Sequence, residues 1–307
     1  MILHGRLRRA VGCGWAAIAC LTGAGALGAG PPPFAVAVVT DLAGAGRLER
    51  ESPGRRLAVL DTLQSGDRIG LLAGASAEIA FTAGSGSVLR LRGPGRFRIG
   101  EHGVQLIGAG ASVERRDLAA AWRNVQIRTG LVGRASIALR GLAATQVRLR
   151  EPIGGLAGAE PVRLQWDPPY GGHAGPWDYT VRLIDDQGKL LYEERAGDQS
   201  LVLPADLRLE RNRDYLWTVQ ARDAQRRHAY GAAEFHRVAP EVEQRIDGLR
   251  QAVLAARRDP AQAESSAEEV LLAVAMDQAG LRNAAQRQLR ELLPLRPALA
   301  PVLALQP

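Results

Sequence analysis

Between Val59 and Ile99, apolar and polar residues alternate in short runs, each closed by glycine or proline. In Ala77-Glu78-Ile79-Ala80-Phe81-Thr82, residues Ala77, Ile79 and Phe81 share one face. In Ser87-Val88-Leu89-Arg90-Leu91-Arg92, Leu89 and Leu91 oppose Arg90 and Arg92, and Arg96-Phe97-Arg98-Ile99 repeats the scheme. A period of two sends successive side chains to opposite faces, which predicts half-buried strands. Gly84, Gly86, Gly93, Pro94, Gly95 and Gly100 let the chain reverse after a few residues. Short strands with close turns predict a roll, sandwich or barrel.

The same logic reads Phe34–Val39 as a buried first strand and Leu57–Leu60 as a second. Val104–Ile107, Asn124–Arg128, Ala135–Arg140 and Gln146–Arg150 alternate again and extend this β unit over residues 34–153. Leu118–Trp122 fits a helical turn or a strand lead-in. Pro152 and the run Gly154–Ala159 predict a flexible boundary. From 160 to 238 the spacing changes. Expected strands are Val162–Trp166, Tyr179–Asp185, Leu190–Glu194, Ser200–Leu203, Asp214–Arg222 and Ala229–Arg237, with a hairpin turn at Asp186-Gln187-Gly188-Lys189.

From Pro240 the period becomes helical. Val242, Ile246, Leu249, Val253 and Leu254 make one apolar face, and Asp259-Pro260 stops that helix. Ser266 followed by Glu269 predicts a capping box for a second helix with Leu271, Leu272, Ala275 and Met276 on its face. Gly280 allows a turn into Leu281–Leu293, which Pro294 and Pro297 end. The fold class is therefore mainly β with a C-terminal α segment covering 240–307.

Three resemblances follow. Gly66-Asp67-Arg68-Ile69, Ala75-Ser76-Ala77-Glu78-Ile79, Gly86-Ser87-Val88-Leu89-Arg90-Leu91 and Pro94-Gly95-Arg96-Phe97-Arg98-Ile99 come in an order that resembles the FecR-like periplasmic domain family, over roughly residues 36–106. That likeness implies a β roll or sandwich and a role in relaying the state of an outer-membrane transporter to a sigma factor. Residues 161–238 resemble a fibronectin type III-like β-sandwich. Trp166 stands at that family's core tryptophan, and Leu209, Tyr215 and Trp217-Thr218-Val219-Gln220-Ala221 look like its tyrosine corner, where a tyrosine hydroxyl bonds to backbone. Gly280, Ala285, Leu289, Leu292 and Pro297 have the spacing of a tetratricopeptide-like helical pair. One such pair buries too little to stand alone, so it must dock on the preceding helix, the sandwich or a partner.

The amino end changes the compartment. Arg6, Arg8 and Arg9 precede the apolar stretch Ala10–Leu21, and Ala24-Gly25-Ala26 and Ala26-Leu27-Gly28 offer small residues for cleavage. Residues 1–28 read as a signal peptide or a membrane anchor, with Ala17-Ile18-Ala19-Cys20 a lipobox-like alternative that would acylate Cys20. Few residues precede the apolar stretch, which argues against a cytoplasmic signalling domain. Pro31-Pro32-Pro33 reads as a stiff spacer. Cys13 and Cys20 are the two cysteines, so an exported mature chain starting after Ala26 holds no disulfide and no thiolate chemistry. Periplasmic location is the expectation.

Charge adds little. The net +7 falls to +4 without the three leading arginines, and Lys189 is the only lysine. The arginines alternate along strands or mix with acids on helices, which reads as solvated faces. No basic block interleaved with aromatics predicts nucleic-acid binding. Weak attraction to anionic envelope polymers is expected.

Candidate chemistry is sparse. His4, His102, His173, His228 and His236 form no metal-ligand spacing. Asp185-Asp186 falls in a turn. Gly84-Ser85-Gly86-Ser87 lies in a hairpin instead of a strand-to-helix elbow, and Gly154-Gly155 lacks phosphate-loop context. Trp166, Tyr179, Tyr215 and Trp217 fit a core better than a sugar platform. The expectation is a non-catalytic envelope binding or scaffolding protein with no cofactor and no metal. Its partners would be envelope proteins. The alternative is a signal-transduction component related to FecR-type sigma-factor regulators.

Overall fold

The computed structural model describes residues 34–50, 54–82, 86–123, 125–128, 146–158, 161–169, 176–258 and 265–304. Residues 1–28 with Cys20, the triple proline, Gly84-Ser85, Ala135–Arg140 and His173 lie outside them. Within them the protein is mainly β with a C-terminal α-helical segment.

The first unit holds β1 (Phe34–Ala35), β2 (Ala37–Ala43), β3 (Gly46–Glu49), β4 (Arg55–Arg56), β5 (Thr62–Leu63) and β6 (Arg68–Leu71). It continues with β7 (Ser76–Phe81), β8 (Ser87–Arg92), β9 (Gly95–Ile99), β10 (Val104–Ile107), β11 (Ser112–Asp117) and β12 (Ile127–Arg128). Two five-stranded sheets, ordered β10-β9-β6-β3-β4 and β11-β8-β7-β2-β5, enclose a core that includes Val39, Ile69, Ile79, Phe81, Leu89, Leu91 and Phe97. Leu57–Leu60 is not a strand. Asp61 accepts the Ala58 N–H at 2.8 Å and Leu60 takes φ 68°, so the segment is a turn. Strand β11 lacks an apolar period because it is an exposed edge, which is why alternation did not reveal it.

The expected half-buried strands are in part buried on both faces. Ala77, Ile79 and Phe81 fill the sandwich as expected, but Val38, Ala80 and Val88 on the reverse face join a second core with the helices. Glu78 and Thr82 are consequently buried as well.

The second unit starts earlier than expected. Strands β13 (Leu149–Glu151), β15 (Arg163–Trp166) and β18 (Ser200–Val202) make one sheet. Strands β14 (Gly154–Leu156), β20 (His228–Arg237), β19 (Asp214–Asp223), β16 (Trp177–Asp185) and β17 (Leu190–Ala196) make the other, in that order. Gln146–Arg150, expected in the first unit, belongs here: the Val147 N–H donates to Tyr230 O at 3.1 Å and β13 pairs with β15. Gly231 permits this approach, since a Cβ there would sit 2.4 Å from Val147 O. Gly154–Leu156, expected as a flexible linker, is a strand pairing in parallel with β20. The core holds Trp166, Tyr179, Trp217 and Phe235. Trp166 meets Tyr179 edge-on at 5.4 Å between centroids, and Trp217 Nε1 donates to Pro152 O at 2.9 Å. The Tyr215 hydroxyl accepts the Glu210 N–H at 2.7 Å, a bond from sheet edge to backbone.

Helices α1 (Pro240–Arg258), α2 (Ala267–Gln278), α3 (Arg282–Leu292) and α4 (Ala300–Ala304) follow. Ile246, Leu249 and Val253 form the buried stripe of α1, while Leu254 is exposed instead of completing it. Helix α2 departs most from expectation. Every residue from Ala267 to Met276 is buried, not one face of it. Its neighbours are α1, α3 and the reverse face of the β2–β7–β8 sheet. Helix α3 ends at Leu292, just before Pro294 as expected, and Pro297 then opens a separate 3₁₀ turn, Pro297–Leu299, where its missing N–H is harmless, with Leu299 and Val302 closing the same core.

Truncating the core of α2 should therefore be severe. Leu271→Ala is expected to remove about 2–5 kcal/mol of unfolding free energy, against under about 0.5 kcal/mol for Leu254→Ala, measured by urea denaturation. Similar losses for the two would contradict the enclosure of α2.

Candidate functional site: the arginine-bridged seam around the buried helix

The reverse face of the sheet carries apolar residues in its middle and ionisable ones at its margin. Glu78 on β7 pairs with Arg90 on β8, Nη2 to Oε1 at 2.9 Å. Ser265 Oγ donates to the other Glu78 oxygen at 3.2 Å and accepts from Arg116 Nη2 at 3.0 Å. The Arg116 guanidinium, from β11, forks onto both oxygens of Glu268 at 2.6 and 3.0 Å. Glu268 is 2% exposed and Glu78 4%, so these charges are enclosed by their partners and not by water. At the far margin, Arg296 donates to Ser266 Oγ at 2.7 Å and to Asp41 Oδ2 at 3.1 Å. Arg257 of α1 pairs with Glu269.

This seam replaces the expected capping box. Ser266 makes no cap bond, because its hydroxyl is bound by Arg296, and Glu269 is taken by Arg257. Ser265 caps instead, its oxygen accepting the Ala267 N–H at 3.2 Å. Glu268 and Glu269 still stand in the first turn of α2, where the helix dipole favours negative charge. The arginines correct a second expectation: several are interface groups instead of decorations on solvated faces.

A second seam joins the helices to the second β unit. The Gly155 N–H donates to Gly280 O at 2.7 Å, an approach that a Cβ on Gly155 would obstruct. Asn283 Nδ2 donates to Arg150 O at 2.8 Å, and Arg287 pairs with Glu151 at 2.7 Å. Glu243 accepts the Gly158 N–H at 2.6 Å and pairs with Arg211. Burial alone would raise the Glu243 carboxyl, but the Gly158 N–H and the Arg211 guanidinium outweigh it and hold it below the ordinary range. At the end of α2, burial pushes Asp277 above the ordinary carboxylate range, with Arg282 opposing.

The remaining sequence candidates fall outside these seams. Asp185 accepts the Gln187 and Lys189 N–H groups at 3.0 and 2.8 Å; chiefly the Lys189 bond lowers its pKa, so it is a turn anchor. Asp186 pairs with Arg213 at 2.8 Å. Trp166, Tyr179, Tyr215 and Trp217 are all buried and cannot form an exposed platform. His236 Nδ1 lies 3.5 Å from Asp214, apart from His102 and His228. Among the described residues no three His, Cys, Asp or Glu converge as a metal site. No described helix is long and apolar enough to cross a membrane.

Two cavities adjoin the buried helix and its sheet. One, of about 420 Å³, is lined by Asp41, Ser76, Glu78, Arg90 and Arg92. Its charges are already matched, by Arg296 on Asp41, Arg90 on Glu78 and Glu114 on Arg92. The other, of about 510 Å³, lies between α1, α2 and the segment Ala121–Gln126. Sequence patterning pointed to neither, since their walls come from elements far apart in the chain.

By architecture this is a mainly β protein closed by a C-terminal helical segment. No protein-family model matches the chain, and no curated protein matches it. Among solved structures it is similar to CopC from Methylosinus trichosporium OB3b, at 18% identity and a TM-score of 0.23, over 30% of this chain and 94% of that one. It is also similar to a β-1,2-glucanase from Parabacteroides distasonis, at 12% identity and a TM-score of 0.23, over 86% of this chain and 39% of that one. Neither likeness carries an argument about this chain.

Two measurements probe the seams. Arg116→Ala should cost about 3–5 kcal/mol, because it strands the Glu268 carboxylate. The double variant Arg116→Met, Glu268→Leu should lose far less than the two single changes together, giving a large coupling energy in a double-mutant cycle. Asp277 has a folded-state pKa above its unfolded value, so the native state binds its proton more tightly. Its contribution is full below the unfolded value and lost as pH rises through the folded one. Asp277→Asn should thus raise the thermal midpoint near pH 7 and converge on the parent toward about pH 3.

Proposed function

We propose that this is a non-catalytic binding or scaffolding protein of the bacterial envelope, built from a FecR-like β unit, a fibronectin type III-like sandwich and a tetratricopeptide-like helical pair. The observation that carries the reading is the double docking of the helical segment. It bonds to the first β unit through Arg116–Glu268 and to the second through Gly155–Gly280 and Arg287–Glu151. Surfaces from three modules are held in fixed relation, as a scaffold requires. The buried carboxylates Asp67, Glu78, Asp185, Asp223, Glu268 and Glu269 each meet an arginine, backbone N–H or hydroxyl donor, and so serve packing. The Tyr215–Glu210 bond supports the sandwich part of the proposal. The basic and apolar residues of 1–28 support export.

The FecR resemblance carries the second reading, envelope signalling to a sigma factor, since its motifs occupy β6 through β9. Cell fractionation with mass spectrometry of the amino terminus tests the shared premise. Recovery outside the cytoplasm, with cleavage near Ala26 or Gly28, acylated Cys20 or an intact anchor, is expected. Recovery only from the cytoplasm would end both readings. A sigma-factor reporter that is unchanged on deletion of the protein would remove the second alone.

A further inference from the structure

The groove of about 510 Å³ between the first β unit and α1 has a one-sided chemistry. Its walls hold Arg123 and Gln126 on one side and Gln244, Arg245 and Gly248 on the other, over a floor that includes Leu249, Ala275 and Gln278. Among the described residues no carboxylate lines it. The side chains of Arg123 and Arg245 have no ion-pair or hydrogen-bond partner among the described residues, unlike the arginines of the neighbouring cavity. Two cations facing one space with no counter-charge favour an anion there.

Gly248 is the second observation. Glycine is among the least favourable residues inside a helix, yet it sits mid-way along α1. A Cβ placed on it would meet nothing within 4 Å, so no packing in the chain requires the glycine. Gly248 lines the groove, so a larger side chain there would extend into it. Groove volume falls within the range of small-molecule sites, about 300–1,000 Å³. The described lining has no aromatic ring on which a nucleobase could stack. The Gln244 amide can pair with hydroxyls in both donor and acceptor sense, and the apolar floor suits the C–H face of a sugar ring.

We propose that this groove binds an acidic sugar, with the carboxylate between Arg123 and Arg245 and the hydroxyls read by the Gln244 amide. The bound sugar would bridge the first β unit and α1. Because it is bound by the purified chain, its failure would leave the envelope reading intact.

Isothermal titration calorimetry of the full chain tests this, with galacturonate, oligogalacturonate, galactose and inorganic phosphate as probes. Saturable binding of galacturonate, with galactose silent and phosphate weaker, is expected. A tighter oligomer would assign the source to a polymer, and equal affinities to the free sugar. Arg123→Gln and Arg245→Gln should each weaken binding about tenfold or more, as loss of a charged hydrogen-bond donor does. Gly248→Leu should abolish it, Gly248→Ala should raise the thermal midpoint, and Arg258→Gln at the exposed end of α1 should change nothing. The two arginine variants keep the test decisive if Gly248→Leu does not fold. Absence of saturation by any acidic probe, affinities unmoved by both arginine changes, or phosphate binding as tightly as galacturonate would overturn the proposal.

Discussion

The architecture depends on enclosing one helix. Helix α2 is apolar on all sides from Val270 to Met276, and such a segment has no stable arrangement with a face in water. Helices α1 and α3 cover part of it. The rest needs a sheet whose outer face is also apolar, and Val38, Ala80 and Val88 supply it. The sheet consequently has two cores instead of one core and a wet face. This requirement, more than any single bond, ties the carboxyl end of the chain to its first β unit.

Enclosure creates an electrostatic problem at the start of α2, where Glu268 and Glu269 enter the interior with the helix. Isolated buried carboxylates are costly, so each requires a dedicated partner. The composition answers with arginine: Lys189 is the lone lysine among 39 basic residues. A guanidinium presents two parallel N–H donors to a carboxylate and is less strongly hydrated than an ammonium. Arg116 on Glu268, Arg50 on Asp67 and Arg55 on Asp61 use that fork. The polar seam thus fixes where the helix sits, and the apolar contacts supply the driving force.

The second β unit is attached differently. Backbone meets backbone at Gly155 and Gly280, with side-chain bonds from Asn283, Arg287 and Glu243 around it. A strand that reads as linker, because it is two glycines and a leucine, is a docking strand for the same reason: only glycine lets the two backbones approach. Both attachments leave the groove between α1 and the Ala121–Gln126 segment open, and its uncompensated arginines contrast with the matched pairs elsewhere.

Local periodicity was enough to place β7, β8, β9, β16, β19 and the helices α1 and α3, because each has a stripe or face whose spacing is written in consecutive residues, whereas α2 was legible as a helix but not as one buried on every side. The Gly188 turn followed from residue type, and the core places of Trp166 and Trp217 followed from strand pattern and resemblance, whereas the buried Trp122 was not legible as core. Edge strand β11, the Leu57–Leu60 turn and the allegiance of Gln146–Arg150 were not legible, since an exposed edge needs no apolar period and pairing partners are distant in the chain. Nor was the fate of Ser266 and Glu269 legible: a local capping pattern lost to Arg296 and Arg257, which arrive from other elements. Nearest-neighbour spacing thus determined which segments are strands and helices. Tertiary structure alone decided which faces are buried twice, which charges meet, and where cations are left facing an open space, because those depend on surfaces brought together from separate elements, from Arg257 and Glu269 at a separation of 12 to Arg116 and Glu268 at a separation of 152.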